Sequence, residues 1–176
     1  KKKYDTLLFD VDDTLLDFGA AETQALGKLF NDLGIELDAE IEASYKSYNQ
    51  SLWKKLEVGS ITRKQLLAPR FPTFFKKYFS LDVDADVLTP KYMNYLSMGH
   101  EEVCGARQLL TSLKNSEHKL YVVSNGNLDV QNRRLRDSGF GDYFEQIFIS
   151  EKMGVKKPDK EFFDVVERSI EGFVPE

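Results

Sequence analysis

Short apolar runs alternate with longer amphipathic stretches along this 176-residue chain. The runs TLLF at 6–9, LYVVS at 120–124 and IFIS at 147–150 are apolar at consecutive positions, which is typical of parallel strands covered on both faces. Stretches with a helical pattern lie between and after these runs. Strands and helices in this alternating order predict an α/β fold, a Rossmann-like parallel sheet with right-handed crossover connections.

Three amphipathic stretches predict the helices that accompany the sheet. Within 103–113, apolar residues recur every three or four positions, as on the buried face of a helix. A second helix is predicted over 128–138, because Gly139 is a typical residue just beyond a helix end. A third helix is predicted to start at the Pro158–Asp159 pair, since proline favours the first turn of a helix.

The segment 17–98 has no run of the strand type, and its polar residues mark helix ends instead. Asp38 and Gly59 are placed to begin and end one helix. Thr62 and Gln65 have the spacing of a capping box at the start of the next one. This segment therefore predicts an all-helical region rich in aromatic residues.

The helical region interrupts the sheet directly after the first strand. An insert at this position is expected to act as a lid over the carboxyl end of that strand. The sequence predicts two domains, a sheet core formed by residues 1–16 and 100–176 and a helical cap formed by residues 17–99.

Composition narrows the class of protein. Apolar residues make up 41% and charged residues 30% of the chain, within the range of globular domains. The net charge of −5 argues against nucleic acid or anionic membranes as partners. Cys104 is the single cysteine, so no intrachain disulfide is possible, and no apolar run has the length of a membrane span. We expect a soluble, cytoplasmic protein that is a monomer in its full-length form.

Three carboxylates, Asp10, Asp12 and Asp13, follow the first apolar run. Placing ionised carboxylates beside a buried strand costs several kcal/mol unless a cation or hydrogen-bond donors compensate. A calcium-binding loop does not fit, because Leu15 and Ala21 stand where that loop needs Gly and Glu. The simplest alternative is that the acids only cap the following helix, which accounts for one acid and not for three.

The functional interpretation places Asp10 and Asp12 around a divalent cation. Oxygen ligands suit Mg²⁺, which joins one or two carboxylates to a substrate phosphate and keeps several waters. One carboxylate can then attack phosphorus and form an aspartyl-phosphate. The other can transfer protons to the leaving group and from water.

Two further stretches have the residues of a phosphate site. Ser124, Asn125 and Gly126 end the second strand just before a helix, where a hydroxyl and free N–H groups can bind phosphate, although the same residues also form ordinary turns. Lys156 and Lys157 precede Pro158, and a lysine there can meet phosphoryl oxygens and the attacking carboxylate. The alternative for this pair is two solvated side chains.

In this order, DVDDT, VVSNG and GVKKPDKEFF resemble the first three motifs of the haloacid dehalogenase-like superfamily. The resemblance implies that Asp10 is the nucleophile and a Mg²⁺ ligand, and that Asp12 is the acid/base whose backbone carbonyl also binds Mg²⁺. It further implies that Thr14 supports the motif, that Ser124 binds phosphate and that Lys157 is the motif lysine. Because the dehalogenases lack the second acid, Asp12 points to phosphoryl transfer.

The stretches YDTLLFDVDDTLLDF, NQSLWKKLEVGSITRKQLL and RRLRDSGF resemble, more finely, the bacterial pyrimidine 5′-nucleotidases of this superfamily. This resemblance implies a nucleoside 5′-monophosphate as substrate. Substrate contacts from the cap are then expected from Tyr48, Asn49, Trp53 and Arg63, with core packing or a solvated position as the alternative for each. The main alternative function is that of a sugar-phosphate phosphatase or a phosphomutase of the same superfamily. A receiver-like phosphorylation switch is a more distant alternative. In that class the phosphorylated Asp ends the third strand, where this chain has Ser150.

The superfamily's fourth motif, a Gly-Asp-Ser stretch with a further Asp, has no counterpart in the sequence. We therefore expect that these 176 residues belong to a longer chain that supplies the remaining strands and Mg²⁺ ligands. On this expectation the chain alone binds Mg²⁺ weakly, has little activity and leaves the first strand with an open edge.

Overall fold

A parallel three-stranded sheet in the order β1-β2-β3 lies at the centre of the fold in the computed structural model, which describes residues 4–173. Its strands are β1 at Thr6–Phe9, β2 at Lys119–Ser124 and β3 at Gln146–Ile149. The three strands predicted from apolar runs are confirmed. Ser150 was predicted to end β3 but begins a helix instead. Because the strands are parallel, their carboxyl ends all lie at the same end of the sheet.

Helices fill most of the remaining chain, and none among residues 4–173 is long and apolar enough to cross a membrane. A short 3₁₀ helix at Phe140–Tyr143 follows the sixth of them. The α-helices are α1 Phe18–Asp32, α2 Ala39–Glu57, α3 Arg63–Phe79, α4 Ala85–Ser97, α5 Ala106–Asn115, α6 Leu128–Ser138, α7 Ser150–Met153 and α8 Lys160–Ser169.

The chain divides into two compact units. One combines the residues up to Ala21 with those from Ser97 onward, and it contains the sheet. The other, Glu22–Leu96, is helical throughout its regular structure. The assignment of a core and a cap with boundaries after residue 16 and before residue 100 stays a prediction.

Both faces of the sheet are covered by apolar side chains. On one face, Leu120 and Val122 of β2 belong to a buried cluster with Leu110 of α5. On the other, Tyr121 and Val123 pack with side chains of α8 such as Phe162 and Val166. This two-sided burial is the reason that β2 is apolar at consecutive positions rather than at alternate ones.

Glycines in the left-handed conformation set two helix boundaries in the sheet unit. Gly139 ends α6 with φ +75°, as the sequence predicts. Gly105 precedes α5 with φ +80°, so this helix begins at Ala106 and not at Val103. Val103 still packs against the same apolar cluster from the preceding loop. The predicted apolar face is thus correct, but the predicted start is three residues early.

The helix-capping predictions for the helical unit are confirmed. The Asp38 carboxylate accepts a hydrogen bond of 2.8 Å from the Ile41 N–H at the start of α2. At the start of α3, the Gln65 N–H donates to Thr62 Oγ1 (3.2 Å) and the Thr62 N–H donates to Gln65 Oε1 (2.9 Å). These bonds satisfy amides that the helix itself leaves without acceptors.

We expect Thr62→Ala to lower the free energy of unfolding by about 1 kcal/mol, the usual contribution of an N-cap hydroxyl. Chemical denaturation followed by circular dichroism measures the change. Thr73→Ala is the matched control, because Thr73 is exposed in the interior of the same helix. Equal stability of the two variants would show that this cap does not stabilise the unit.

Candidate active site

The turn that follows β1 is held by its apolar side chains. Val11, Leu15 and Leu16 are almost completely buried, with exposures of 0 to 1%. The Val11 carbonyl accepts a hydrogen bond of 2.9 Å from the Leu15 N–H, and Asp13 adopts a left-handed φ of +60°. This tight turn buries the apolar residues, and it leaves Asp10 and Asp13 exposed and Asp12 half-buried. It therefore presents Asp10 and Asp12 at the carboxyl end of the strand.

Asp10 is an exposed carboxylate with one oxygen fixed by the protein. Its Oδ1 accepts a hydrogen bond of 2.8 Å from the Val11 N–H and lies 3.1 Å from Lys157 Nζ. Lys157 Nζ also donates to the Val123 carbonyl at 2.9 Å. Within residues 4–173, no hydrogen bond is made to Asp10 Oδ2. A carboxylate held by one oxygen and open at the other is suited to attack an electrophile.

The backbone of Lys157 is held from both sides by one amide side chain. Asn125 Oδ1 accepts from the Lys157 N–H, and Asn125 Nδ2 donates to the Lys157 carbonyl, both at 2.9 Å. The neighbouring Lys156 instead pairs with Asp159 at 3.1 Å. The structure therefore brings Lys157, and not Lys156, to Asp10. The side chain of Asn125, which the sequence places among phosphate-binding residues, is used to position this lysine.

We expect Asn125→Ala to lower the free energy of unfolding by about 1–3 kcal/mol, because it leaves two partly buried backbone groups without partners. A thermal or chemical unfolding curve measures this loss. Asn132→Ala removes the same side chain from an exposed position on α6 and should change stability by less than about 0.5 kcal/mol. An Asn125→Ala variant as stable as this control would contradict a supporting role.

Asp12 is half-buried, and both of its carboxylate oxygens accept hydrogen bonds from α6. Arg134 Nη1 donates to Oδ1, and Gln131 Nε2 donates to Oδ2 at 3.1 Å. Burial raises the pKa of Asp12 above its ordinary value, and the Arg134 guanidinium opposes this rise. Asp12 is thus a carboxylate in a defined orientation, with a proton affinity increased by its surroundings.

Different acids cap the helix that follows this turn. Asp17 Oδ1 accepts from the Ala20 N–H at 3.0 Å, and Asp13 Oδ1 accepts from the Phe18 N–H at 3.1 Å. Neither Asp10 nor Asp12 bonds to an N–H of α1. The capping interpretation thus applies to Asp13 and leaves the other two acids for another purpose.

Ser124 ends β2 as a buried hydroxyl near Asp12. Its Oγ accepts hydrogen bonds from the Gly126 N–H at 3.1 Å and from Gln131 Nε2 at 3.0 Å. The hydroxyl hydrogen is left to donate, as a phosphate-binding serine requires. Thr14 is exposed in the turn after β1, with its N–H 3.3 Å from the Val11 carbonyl. The roles of Thr14, Ser124, Asn125 and Gly126 toward phosphate stay predictions.

Two amides at the start of α6 already have acceptors. The Leu128 N–H donates to Glu151 Oε1 at 3.2 Å, and the Val130 N–H donates to Asn127 Oδ1 at 3.0 Å. The expected use of free helix amides for phosphate therefore does not apply to these two groups. The Glu151 carboxylate therefore binds at this helix N-terminus, where a phosphate was expected to bind.

The oxygen donors of the turn suit Mg²⁺. Among residues 4–173, no three His, Cys, Asp or Glu side chains converge as a metal-binding cluster. The Asp10 carboxylate and the Asp12 backbone carbonyl stay the predicted ligands. Mg²⁺ is commonly bound through one or two carboxylates together with substrate phosphate and waters, so this donor set fits that ion.

In the helical unit, three of the predicted substrate contacts pack against neighbouring side chains. The Arg63 guanidinium lies 5.5 Å from the Trp53 ring centre, a cation–π contact. The Tyr48 ring stacks on Phe74 with 6.2 Å between ring centres. Tyr48 and Trp53 also flank a small buried leucine cluster. All three predicted residues are half-buried, and their role toward a substrate stays a prediction.

Asn49, the fourth predicted contact, belongs to a buried polar cluster. Its Nδ2 donates to Glu22 Oε2 at 2.9 Å, and its Oδ1 accepts from Arg70 Nη1 at 3.3 Å. The Arg70 guanidinium also lies 5.0 Å from the Tyr92 ring centre. Burial raises the pKa of Glu22 above its ordinary value. Glu22 and Arg70 were missed from the sequence, because single polar residues in amphipathic helices give no sign of burial.

The fold and the site together define an α/β protein with two aspartates and a lysine at the carboxyl edge of a parallel sheet. Over residues 4–172 the sequence matches the haloacid dehalogenase-like hydrolase family. The chain belongs to this family and is a hydrolase.

Similarity extends to particular relatives over nearly the whole chain. The HAD-hydrolase YfnB of Bacillus subtilis is 44% identical over 99% of this chain and 74% of that protein. A crystal structure of YfnB bound to magnesium superposes with a TM-score of 0.93 at 44% identity, covering 99% of this chain and 78% of the other. The pyrimidine 5′-nucleotidase PynA of Streptococcus pneumoniae is 40% identical over 98% of this chain and 73% of that protein. The pyrimidine 5′-nucleotidase YjjG of Escherichia coli is 32% identical, covering 92% and 69% respectively.

Proposed function

We propose that the protein is a Mg²⁺-dependent phosphoric monoester hydrolase that acts on pyrimidine nucleoside 5′-monophosphates. The observation that carries this proposal is the grouping of Asp10, Lys157 and Asp12 at the carboxyl end of β1. Lys157 Nζ lies 3.1 Å from one Asp10 oxygen, and Asp12 is the second acid that phosphoryl transfer requires. Family membership and the nucleotidases among the relatives support the same class.

In the first step, the Asp10 carboxylate attacks phosphorus and the bond to the leaving oxygen breaks. Asp12 donates its proton to that oxygen, so the nucleoside leaves as a neutral alcohol. In this proposal Lys157, 3.1 Å from Asp10, balances negative charge on Asp10 and on the phosphoryl oxygens. Ser124 donates its hydroxyl hydrogen to one of these oxygens.

In the second step, water attacks the phosphorus of the aspartyl-phosphate. The Asp12 carboxylate accepts a proton from this water, the phosphorus–oxygen bond to Asp10 breaks, and inorganic phosphate is released. Both aspartates then return to their starting states. Bound through the Asp10 carboxylate and the Asp12 carbonyl, Mg²⁺ would neutralise phosphate charge that the single lysine leaves uncompensated.

The test is phosphate release by the full-length protein from pyrimidine and purine nucleoside 5′-monophosphates and from sugar phosphates. Each substrate is measured with Mg²⁺ and with excess chelator. We expect the highest kcat/KM for pyrimidine nucleotides and no turnover with chelator. A preference for sugar phosphates would show that these, and not nucleotides, are the substrate class. Conversion of sugar phosphates to isomers would identify a phosphomutase. No phosphate release from any substrate would overturn the proposed reaction.

A further inference from the structure

Arg134 is a buried cation that donates hydrogen bonds from two nitrogens of its guanidinium, Nε and Nη1. Its side chain is 1% exposed. Nη1 donates to Asp12 Oδ1 and, at 2.9 Å, to Gln131 Oε1, while Nε donates to the Gly99 carbonyl at 2.8 Å. An apolar side chain of similar length would fill this volume without the cost of removing a charge from water. The arginine therefore requires an explanation other than packing.

Gln131 lies one turn before Arg134 on the same face of α6 and is also 1% exposed. Its Nε2 donates to Asp12 Oδ2 at 3.1 Å and to Ser124 Oγ at 3.0 Å. A single amide nitrogen thus joins the predicted acid/base to the predicted phosphate-binding hydroxyl. A side chain at Gly126 would approach the Gln131 side chain to 2.7 Å, so the glycine leaves room for this bridge.

We propose that Arg134 and Gln131 are positioning residues that orient the Asp12 carboxylate for proton transfer and fix its distance from Ser124. The inference rests on the proposed function, because it acts through the acid/base role of Asp12. It adds two residues of α6 to the residues that determine the rate of phosphoryl transfer.

The geometry explains how the two residues act. The Asp12 side chain is 32% exposed and comes from a tight turn, so α6 supplies the bonds that fix its rotation. Arg134 and Gln131 bond to different oxygens of the carboxylate, which defines both its position and its plane. A carboxylate oxygen has two lone pairs, so each oxygen that accepts from α6 retains a second site for a proton.

The test compares kcat/KM for two leaving groups in Arg134→Met. kcat/KM reports only the steps up to departure of the leaving group. A nucleoside alkoxide needs a proton from Asp12, whereas the weakly basic 4-nitrophenolate does not. We expect kcat/KM for a nucleoside 5′-monophosphate to fall about 10-fold or more relative to that for 4-nitrophenyl phosphate. This loss is a fraction of the rate enhancement that a well-positioned general acid contributes. A purely structural role would lower both values by the same factor.

Arg136→Met is the matched control, because it removes the same charge from the same helix at a side chain that is 72% exposed. We expect its ratio of the two kcat/KM values to equal that of the unmodified protein. Gln131→Leu removes the bridge without removing a charge, and it provides the second test if Arg134→Met folds poorly. Its ratio should shift in the same direction.

The outcomes separate this inference from the function on which it rests. All variants are made in the full-length protein, and if that protein without substitutions hydrolyses neither substrate, the proposed function fails. If it hydrolyses both and neither Arg134→Met nor Gln131→Leu changes the ratio, the proposed function stands and the positioning role is overturned. Should nucleotides be poor substrates, the best alkyl phosphate of the substrate panel takes their place.

Discussion

Asp10→Asn should reduce turnover of phosphate esters by more than about 10³-fold, because the neutral amide cannot attack phosphorus to form an acyl-phosphate. The fold should persist. Asp10 is exposed, and its ion pair with Lys157 at 3.1 Å contributes little to stability at a solvated position. Steady-state phosphate release measures turnover, and acid quenching followed by mass spectrometry detects a phosphoryl group on the peptide that contains residue 10.

Asp13→Asn is the matched control for this variant. Asp13 is exposed two residues before Leu15 in the same turn and accepts a hydrogen bond from the Phe18 N–H, which an asparagine oxygen can also accept. Its left-handed φ of +60° is likewise tolerated by asparagine. We expect this variant to retain turnover. Near-normal turnover of Asp10→Asn, or a phosphoryl group trapped on another residue, would show that the nucleophile has been assigned wrongly.

Asp12→Asn should slow both chemical steps by about 10²–10⁴-fold, the usual contribution of a positioned general acid or base. Rapid-quench measurements separate formation of the phospho-enzyme from its hydrolysis, and we expect both rates to fall. Mg²⁺ binding should persist, because the backbone carbonyl of residue 12 is unchanged. An effect confined to Mg²⁺ affinity, or unchanged rates, would mean that this acid serves the metal or the fold instead.

The same substitution should also lower the melting temperature. Arg134 is buried and donates to the Asp12 carboxyl group, so Asp12→Asn removes the acidic partner of this guanidinium. Asp10→Asn breaks an ion pair that is open to solvent, and it should change the melting temperature less. Comparing the two variants therefore separates the catalytic contribution of each aspartate from its contribution to stability.

The strands and the ends of several helices could be predicted because their causes are local. Consecutive apolar residues identify β2 because both of its faces are covered, and Gly139 ends α6 because it adopts a left-handed conformation. Where a tertiary contact decides the outcome, the prediction was incomplete. The amide of Leu128 looked open to phosphate, but the carboxylate of Glu151, 23 residues later, accepts its hydrogen.

Only the site residues that belong to short sequence motifs could be predicted. DVDDT and the Lys157–Pro158 pair identify residues whose chemistry is unusual beside an apolar strand. Gln131 and Arg134 gave no such sign, because polar residues of an amphipathic helix are ordinarily solvated. Their partner Asp12 lies 119 and 122 positions away in the sequence. Only the folded chain shows that α6 directs these two side chains inward.

The Asn125 side chain has a consequence for amide hydrogen exchange at the site. The Lys157 N–H lies in a loop, where exchange with solvent is ordinarily fast, but its hydrogen is bonded to Asn125 Oδ1 at 2.9 Å. This amide can exchange only when the link between the end of β2 and the loop that contains Lys157 opens. Its exchange rate therefore reports how readily the contact between Asn125 and the Lys157 backbone opens, in a protein whose catalytic residues are all intact.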